Sequence, residues 1–229
     1  MSNIKKDAKR GAFYWKGNKP YLSVTEILKI IDKPALRYWF GQEIYYAMLK
    51  NPTMGKEEAL ASPWETSANA MGRGRAVHSI VETYKGTKTE IDSIPTQFKG
   101  YAKAFYKFMN EVKPSILEHE RSVLSEKYQY GGTLDLLMKI GENKPIVVDV
   151  KTGKDIYPES FLQTAAYHEA LVEENQEVDG TGVLLLQEDG AYKFENKTKH
   201  KAKFEGFLAA KKLYEAIHED MLKKVGYLM

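Results

Sequence analysis

Residues 131–154 read Gly-Gly-Thr-Leu-Asp-Leu-Leu-Met-Lys-Ile (131–140), Gly-Glu-Asn-Lys-Pro (141–145) and Ile-Val-Val-Asp-Val-Lys-Thr-Gly-Lys (146–154). The outer segments are aliphatic and β-branched, and the five residues between them carry the Gly and Pro that end strands. The pattern predicts a hairpin. Because strand side chains alternate, Asp149 and Lys151 share one face, with Val148 and Val150 on the other. On the first arm Asp135 is expected to point away from both Leu134 and Leu136. A carboxylate in the middle of each of two adjacent apolar strands is costly to desolvate unless positive charge meets it. A hard divalent cation such as Mg²⁺ meets both, since it favours oxygen ligands and keeps positions for substrate and water. Lys151 then stands where it can orient or deprotonate a water and offset charge on a phosphate. That is the chemistry of phosphodiester hydrolysis.

Alone, an Asp-X-Lys strand arises often by chance on surface strands. Two flanking segments add to it. Downstream, Gln163 and Tyr167 are four residues apart in Gln-Thr-Ala-Ala-Tyr and so share a helix face. Upstream, Gly72-Arg-Gly-Arg-Ala-Val-His78 places Gly74 and His78 four apart. Val77, Ile80, Val81 and Tyr84 form the apolar stripe of that helix, and His78 falls at its margin, where a side chain can look onto a neighbouring sheet. Standing alone, His78 reads better as a hydrogen-bonded, half-buried histidine. Arg73 and Arg75 either clamp phosphate or cover a solvated face.

Taken in order, these segments resemble the PD-(D/E)XK nucleases. The acid on one strand is Asp135 and the Asp/Glu-X-Lys of the next is Asp149-Val150-Lys151. The Gln-X-X-X-Tyr and Gly-X-X-X-His helices resemble those of the RecB-like branch and the mitochondrial genome-maintenance exonucleases. The similarity covers residues 65 to 190, and more loosely Tyr-Leu-Ser-Val-Thr at residues 21–25, where Leu22 replaces a proline. It implies an α/β, restriction-endonuclease-like core in the order α-β-β-β-α-β, a mixed sheet flanked by helices. It also implies that His78, Asp135, Asp149 and the Val150 carbonyl hold Mg²⁺ or Mn²⁺, with Asp135, Asp149 and Lys151 catalytic. Gln163 and Tyr167 would hold the DNA backbone. The activity implied is a metal-dependent DNA exonuclease working from free ends, favouring single strands, in repair or recombination. A structure-specific endonuclease shares every one of these residues, and a non-catalytic nucleic-acid-binding module on the same fold is the reading from a different class.

Working outward, residues 116–127 predict a strand leading into the hairpin, with acids at Glu118 and Glu120. Glu120 is read either as support for the metal centre or as an edge-strand ion pair. Residues 97–112 and 157–175 predict helices, residues 182–186 a buried strand, and residues 204–226 a final amphipathic helix. At the start of the chain, residues 13–24 predict a small hairpin, and Ser23 with Glu26 a capping box opening a short helix. Residues 36–49 hold Tyr38, Trp39, Phe40, Tyr45 and Tyr46, which read more readily as core than as base-stacking surface. Residues 1–64 are expected to form an N-terminal helical extension packed on a nuclease core of residues 65–229.

The 229 residues are 43% hydrophobic, enough for one sizeable core. With 34 basic against 31 acidic residues, net charge alone announces no polyanion partner. Lys5, Lys6, Lys9 and Arg10 form a basic run that reads as a solvated arm. The chain has no cysteine, which excludes a thiol nucleophile, a disulfide framework, thiolate-bound zinc and a cysteine-held iron–sulfur cluster. Neither a leader-like apolar segment at residues 1–10 nor a membrane-length apolar run is present, so a cytoplasmic protein is expected, with DNA as partner and no membrane.

Overall fold

A computed structural model describes residues 4–6, 11–84 and 88–228. The branched and alternating segments form eight strands: β1 (Ile4–Lys6), β2 (Phe13–Lys16), β3 (Lys19–Ser23), β4 (Ser115–Ser125), β5 (Tyr130–Lys139), β6 (Ile146–Lys151), β7 (Gly180–Leu186) and β8 (Tyr192–Lys197). The α-helices are α1 (Val24–Ile27), α2 (Pro34–Lys50), α3 (Lys56–Glu82), α4 (Lys99–Val112), α5 (Pro158–Glu173), α6 (Lys201–Ile217) and α7 (Glu219–Lys224). Together they make an α/β fold, a mixed sheet flanked by helices.

β5 and β6 are the expected hairpin, and Gly141 in their connection has φ +60°, a left-handed conformation that glycine adopts without a Cβ clash. β5 pairs antiparallel with β4 from Ser115↔Lys139 to Ser125↔Tyr130. It also pairs with β3, in parallel, at Tyr130 and Gly131, and with β6, antiparallel, from Leu136 to Met138. Residues 132–135 therefore lie between two diverging strands, where the sheet opens into a notch. β6 continues parallel to β7, and β7 antiparallel to β8.

Each face of the sheet has its own core. On one side Leu134, Leu137, Val147, Tyr167 and Phe207 pack beneath α5 and α6. On the other, Val77, Val81, Phe105, Phe108, Val148 and Val150 pack beneath α3 and α4. Val148 and Val150 thus share the face expected of them. Leu134 and Leu136 do not, since they enter opposite cores. Strict alternation breaks at Asp135, next to a bulged β4 in which Glu120 has φ +44°.

Several local expectations change. Residues 4–23 contribute strands to the main sheet, so the start of the chain is not purely helical. α3 runs unbroken from Lys56 to Glu82, through Pro63 and both Gly72 and Gly74. The Ser23 capping box does not form: Ser23 Oγ lies 3.0 Å from Thr25 Oγ1 and Glu26 binds Lys29. The reading of the α2 aromatics as core is overturned. No α2 residue is buried, and Tyr38, Tyr45 and Tyr46 are 71%, 60% and 53% exposed. Because α2 packs chiefly on α3, it has no second layer to bury those rings. Lys9 and Arg10 of the basic run lie outside the described residues.

Candidate active site

The notch between β5 and β6 is where the chemistry-bearing side chains gather. The ladder between the two strands ends at Leu136↔Val148. One step further the Val150 N–H has no backbone partner across the gap, and it donates instead to Asp135 Oδ2 at 2.6 Å. Asp135 is held by the fold, its other oxygen free to face the notch.

His78 reaches the notch from α3. Its Nε2 lies 3.0 Å from the Val150 carbonyl, which can only accept, so this nitrogen carries the proton. Nδ1 then faces Asp135 Oδ1 at 3.4 Å and Glu120 Oε1 at 3.6 Å. Burial would lower the histidine's pKa, but the Asp135 and Glu120 carboxylates outweigh it and raise the pKa to about 10. In the absence of a metal ion, a proton supplies the positive charge that these acids require. The ligand atoms of His78, Glu120 and Asp135 all lie within 4.8 Å of one another. The Val150 carbonyl, expected as a metal ligand, accepts from His78 Nε2 and so orients that ring.

Glu120 was legible in sequence only as an open alternative. Its left-handed backbone is uncommon for a residue with a Cβ, and together with the neighbouring bulge it re-aims the carboxylate from the edge of β4 toward His78.

Asp149 and Lys151 form an adjoining group. Asp149 is 2% exposed; its Oδ1 accepts from Gln163 Nε2 at 2.8 Å and its Oδ2 lies 2.8 Å from Lys151 Nζ. That ion pair is the closest charged contact of the buried carboxylate. Burial pushes the Asp149 carboxyl up, against the pull of Lys151. For Lys151, burial is outweighed by the Asp149 and Asp135 charges, which raise its pKa. Lys151 is therefore an ammonium, suited to orienting a nucleophile and balancing phosphate charge rather than to removing a proton.

Gln163 also accepts from Lys151 Nζ at 3.4 Å and donates to the Tyr167 hydroxyl at 3.2 Å. The expectation that Tyr167 holds DNA is corrected: it is 2% exposed, its ring lying over Gly132. A Cβ at residue 132 would stand 2.2 Å from Tyr167 Cε1, so the ring can occupy this place only above a glycine. Tyr167 and Gln163 act as supports that fix Asp149 and Lys151. The two arginines separate. Arg75 is exposed and lines a pocket with His78, Glu82 and Glu120, whereas Arg73 turns toward Tyr101, its guanidinium 5.9 Å from the ring centroid.

A groove of about 1030 Å³ leads from Lys151 and Gln163 past Tyr157 to Arg37, Phe40 and Trp64. Trp64 is 66% exposed and meets Phe40 edge to face at 5.0 Å.

The residues present fit a divalent cation. Three carboxylates converge on one imidazole and one lysine, and Asp149 is a buried carboxylate whose Oδ2 has, among the described residues, a single cationic neighbour, Lys151. No helix among the described residues is long and apolar enough to cross a membrane.

Comparison with known proteins returns no matching family model and no matching curated protein. Among solved structures, the chain is similar to an alkaline exonuclease from Laribacter hongkongensis, at 10% identity and a TM-score of 0.39, over 91% of this chain and 95% of that one. It is also similar to a candidate exonuclease from Eubacterium rectale, at 14% identity and a TM-score of 0.45, over 91% of this chain and 83% of that one. Both neighbours are described as exonucleases, and at these identities and scores neither assigns an activity to this chain.

Proposed function

We propose that the chain is a metal-dependent DNA exonuclease of the PD-(D/E)XK type, hydrolysing phosphodiester bonds from free ends and favouring single strands. The observation that carries this reading is the convergence of Asp135, Asp149 and Lys151 at the notch, with His78 delivered to the same place by another helix. Asp135, His78 Nδ1, Glu120 and Asp149 Oδ2 would hold Mg²⁺ or Mn²⁺, which when bound supplies Lewis-acid polarisation of the phosphate. Asp135 is pre-positioned by the Val150 amide, and Asp149 by Gln163. The Lys151 ammonium orients the attacking water and offsets the negative charge that develops on phosphate. Arg75, at the rim, would meet the backbone of the substrate.

The preference for single strands rests on the groove. Exposed Trp64 and half-buried Phe40 offer flat faces for bases, while Arg37 and Lys151 offer charge for phosphates. In this reading residues 1–64 cover a core of residues 65–229 and supply the groove's outer wall. A role in repair or recombination is consistent with an activity that needs ends.

Incubating the protein with end-labelled linear single-stranded DNA and with a single-stranded circle tests this. Loss of the linear strand alone, dependent on Mg²⁺ or Mn²⁺ and blocked by chelator, is expected. Cutting of the circle would instead make the protein an endonuclease, and binding without cutting a non-catalytic module.

A further inference from the structure

A second group of metal-binding side chains lies on the far part of α5. We propose that His168, Glu169 and His200 form a site for a divalent cation of the zinc class, which pins the start of α6 against α5. Glu169 Oε1 lies 3.3 Å from His168 Nδ1 and 3.1 Å from His200 Nε2, and the ligand atoms of the three residues are all within 4.8 Å of one another.

Proton accounting points to a cation. The opposite nitrogen of each imidazole faces a backbone carbonyl, His168 Nε2 at 3.2 Å from Val178 O and His200 Nδ1 at 3.0 Å from Thr198 O. A carbonyl only accepts, so those nitrogens carry the protons and fix both tautomers. The nitrogens turned toward Glu169 are then lone pairs, and a carboxylate has no proton to give. Three acceptors meet with no donor between them. Moreover, the two ring centroids lie 3.7 Å apart with the planes tilted by 40°, a closeness that disfavours charging both.

The donor set selects the metal. Two imidazole nitrogens and one carboxylate oxygen suit Zn²⁺, with a fourth position open to water, and suit Mg²⁺ poorly. The carbonyls behind each ring supply the outer contacts that orient metal-binding histidines. Access is from the side of Glu169 and His200, whose side chains are 29% and 18% exposed, whereas His168 forms the floor at 4%.

The test uses the full chain carrying His78→Asn, Asp135→Asn and Asp149→Asn, so that binding at the notch does not contribute and the outcome is independent of the nuclease reading. After chelator treatment, Zn²⁺ is titrated by calorimetry, and the melting temperature is followed with and without Zn²⁺. One equivalent is expected to bind and to raise the melting temperature. Glu169→Gln and His200→Gln, both at the accessible side, are expected to bind Zn²⁺ at least about tenfold more weakly while melting near the parent in its absence. Equal zinc binding in parent and variants would overturn the proposal. So would a parent that binds no Zn²⁺, which would mean that a proton on an imidazole holds the cluster together.

Discussion

Asp135 Oδ2 accepts the Val150 N–H at 2.6 Å, at the point where β6 parts from β5. The side chain proposed to hold the metal thus also satisfies the backbone amide of a fully buried residue. Substituting alanine removes both roles, and the orphaned amide costs about 1–3 kcal/mol. Asparagine keeps an acceptor oxygen. Urea unfolding should show Asp135→Ala destabilised by that amount and Asp135→Asn close to wild type, which makes asparagine the cleaner probe of activity.

Gly132 faces the Tyr167 ring so closely that Gly132→Ala must displace it. Overpacking of this kind costs roughly 1–3 kcal/mol, and the displacement should reach Gln163 and Asp149 through their hydrogen bonds. Tyr167→Phe keeps the ring and loses only the contact with Gln163, a cost of about 0.5–1.5 kcal/mol. Urea midpoints of the two variants should differ in that order.

In the proposed site, a proton on His78 and a metal ion would compete for one place. With its pKa raised from 6.5 to about 10, protonated His78 stabilises the metal-free fold fully below about pH 6.5, and this contribution is lost as pH rises through about 10. A cation must displace that proton, so apparent Mg²⁺ affinity should increase as pH rises from neutral toward 10. In His78→Asn the slope should be much reduced. Calorimetric titrations at several pH values provide the check.

Trp64 is the largest exposed ring lining the groove. Trp64→Ala should weaken binding of a single-stranded oligonucleotide by roughly 1–3 kcal/mol, the worth of one stacked base. The fold should lose only the edge-to-face contact with Phe40, about 0.5–1.5 kcal/mol. Tyr45→Ala, outside the lining of that groove, should alter neither by more than about 0.5 kcal/mol. Fluorescence anisotropy alongside urea unfolding separates the two effects.

The parts of the site that lie on one strand or one helix were legible in sequence. Period-two alternation puts Asp149 beside Lys151, and a four-residue spacing puts Gln163 beside Tyr167. What escaped depends on contacts between distant segments. The burial of Tyr167 follows from Gly132, thirty-five positions earlier. The aim of Glu120 follows from its own left-handed backbone, on a strand bulged between Ile116 and Glu118, which no periodicity encodes. The α2 aromatics resemble core residues in composition, and only the absence of a second packing layer leaves them exposed. β8 was missed because its Tyr-Lys-Phe-Glu-Asn-Lys sequence is largely polar, as befits a strand at the sheet's edge, paired among the described residues only with β7.

The most direct measurement is the rate of Mg²⁺-dependent cleavage of end-labelled single-stranded DNA by wild type, Asp149→Asn and Lys151→Ala, each first shown to be folded by circular dichroism. The Asp149–Lys151 pair at the notch predicts losses of roughly a hundredfold or more in both variants, the scale on which removing one preorganised charge acts. A Lys151→Ala protein that cleaves at the wild-type rate would contradict the assignment.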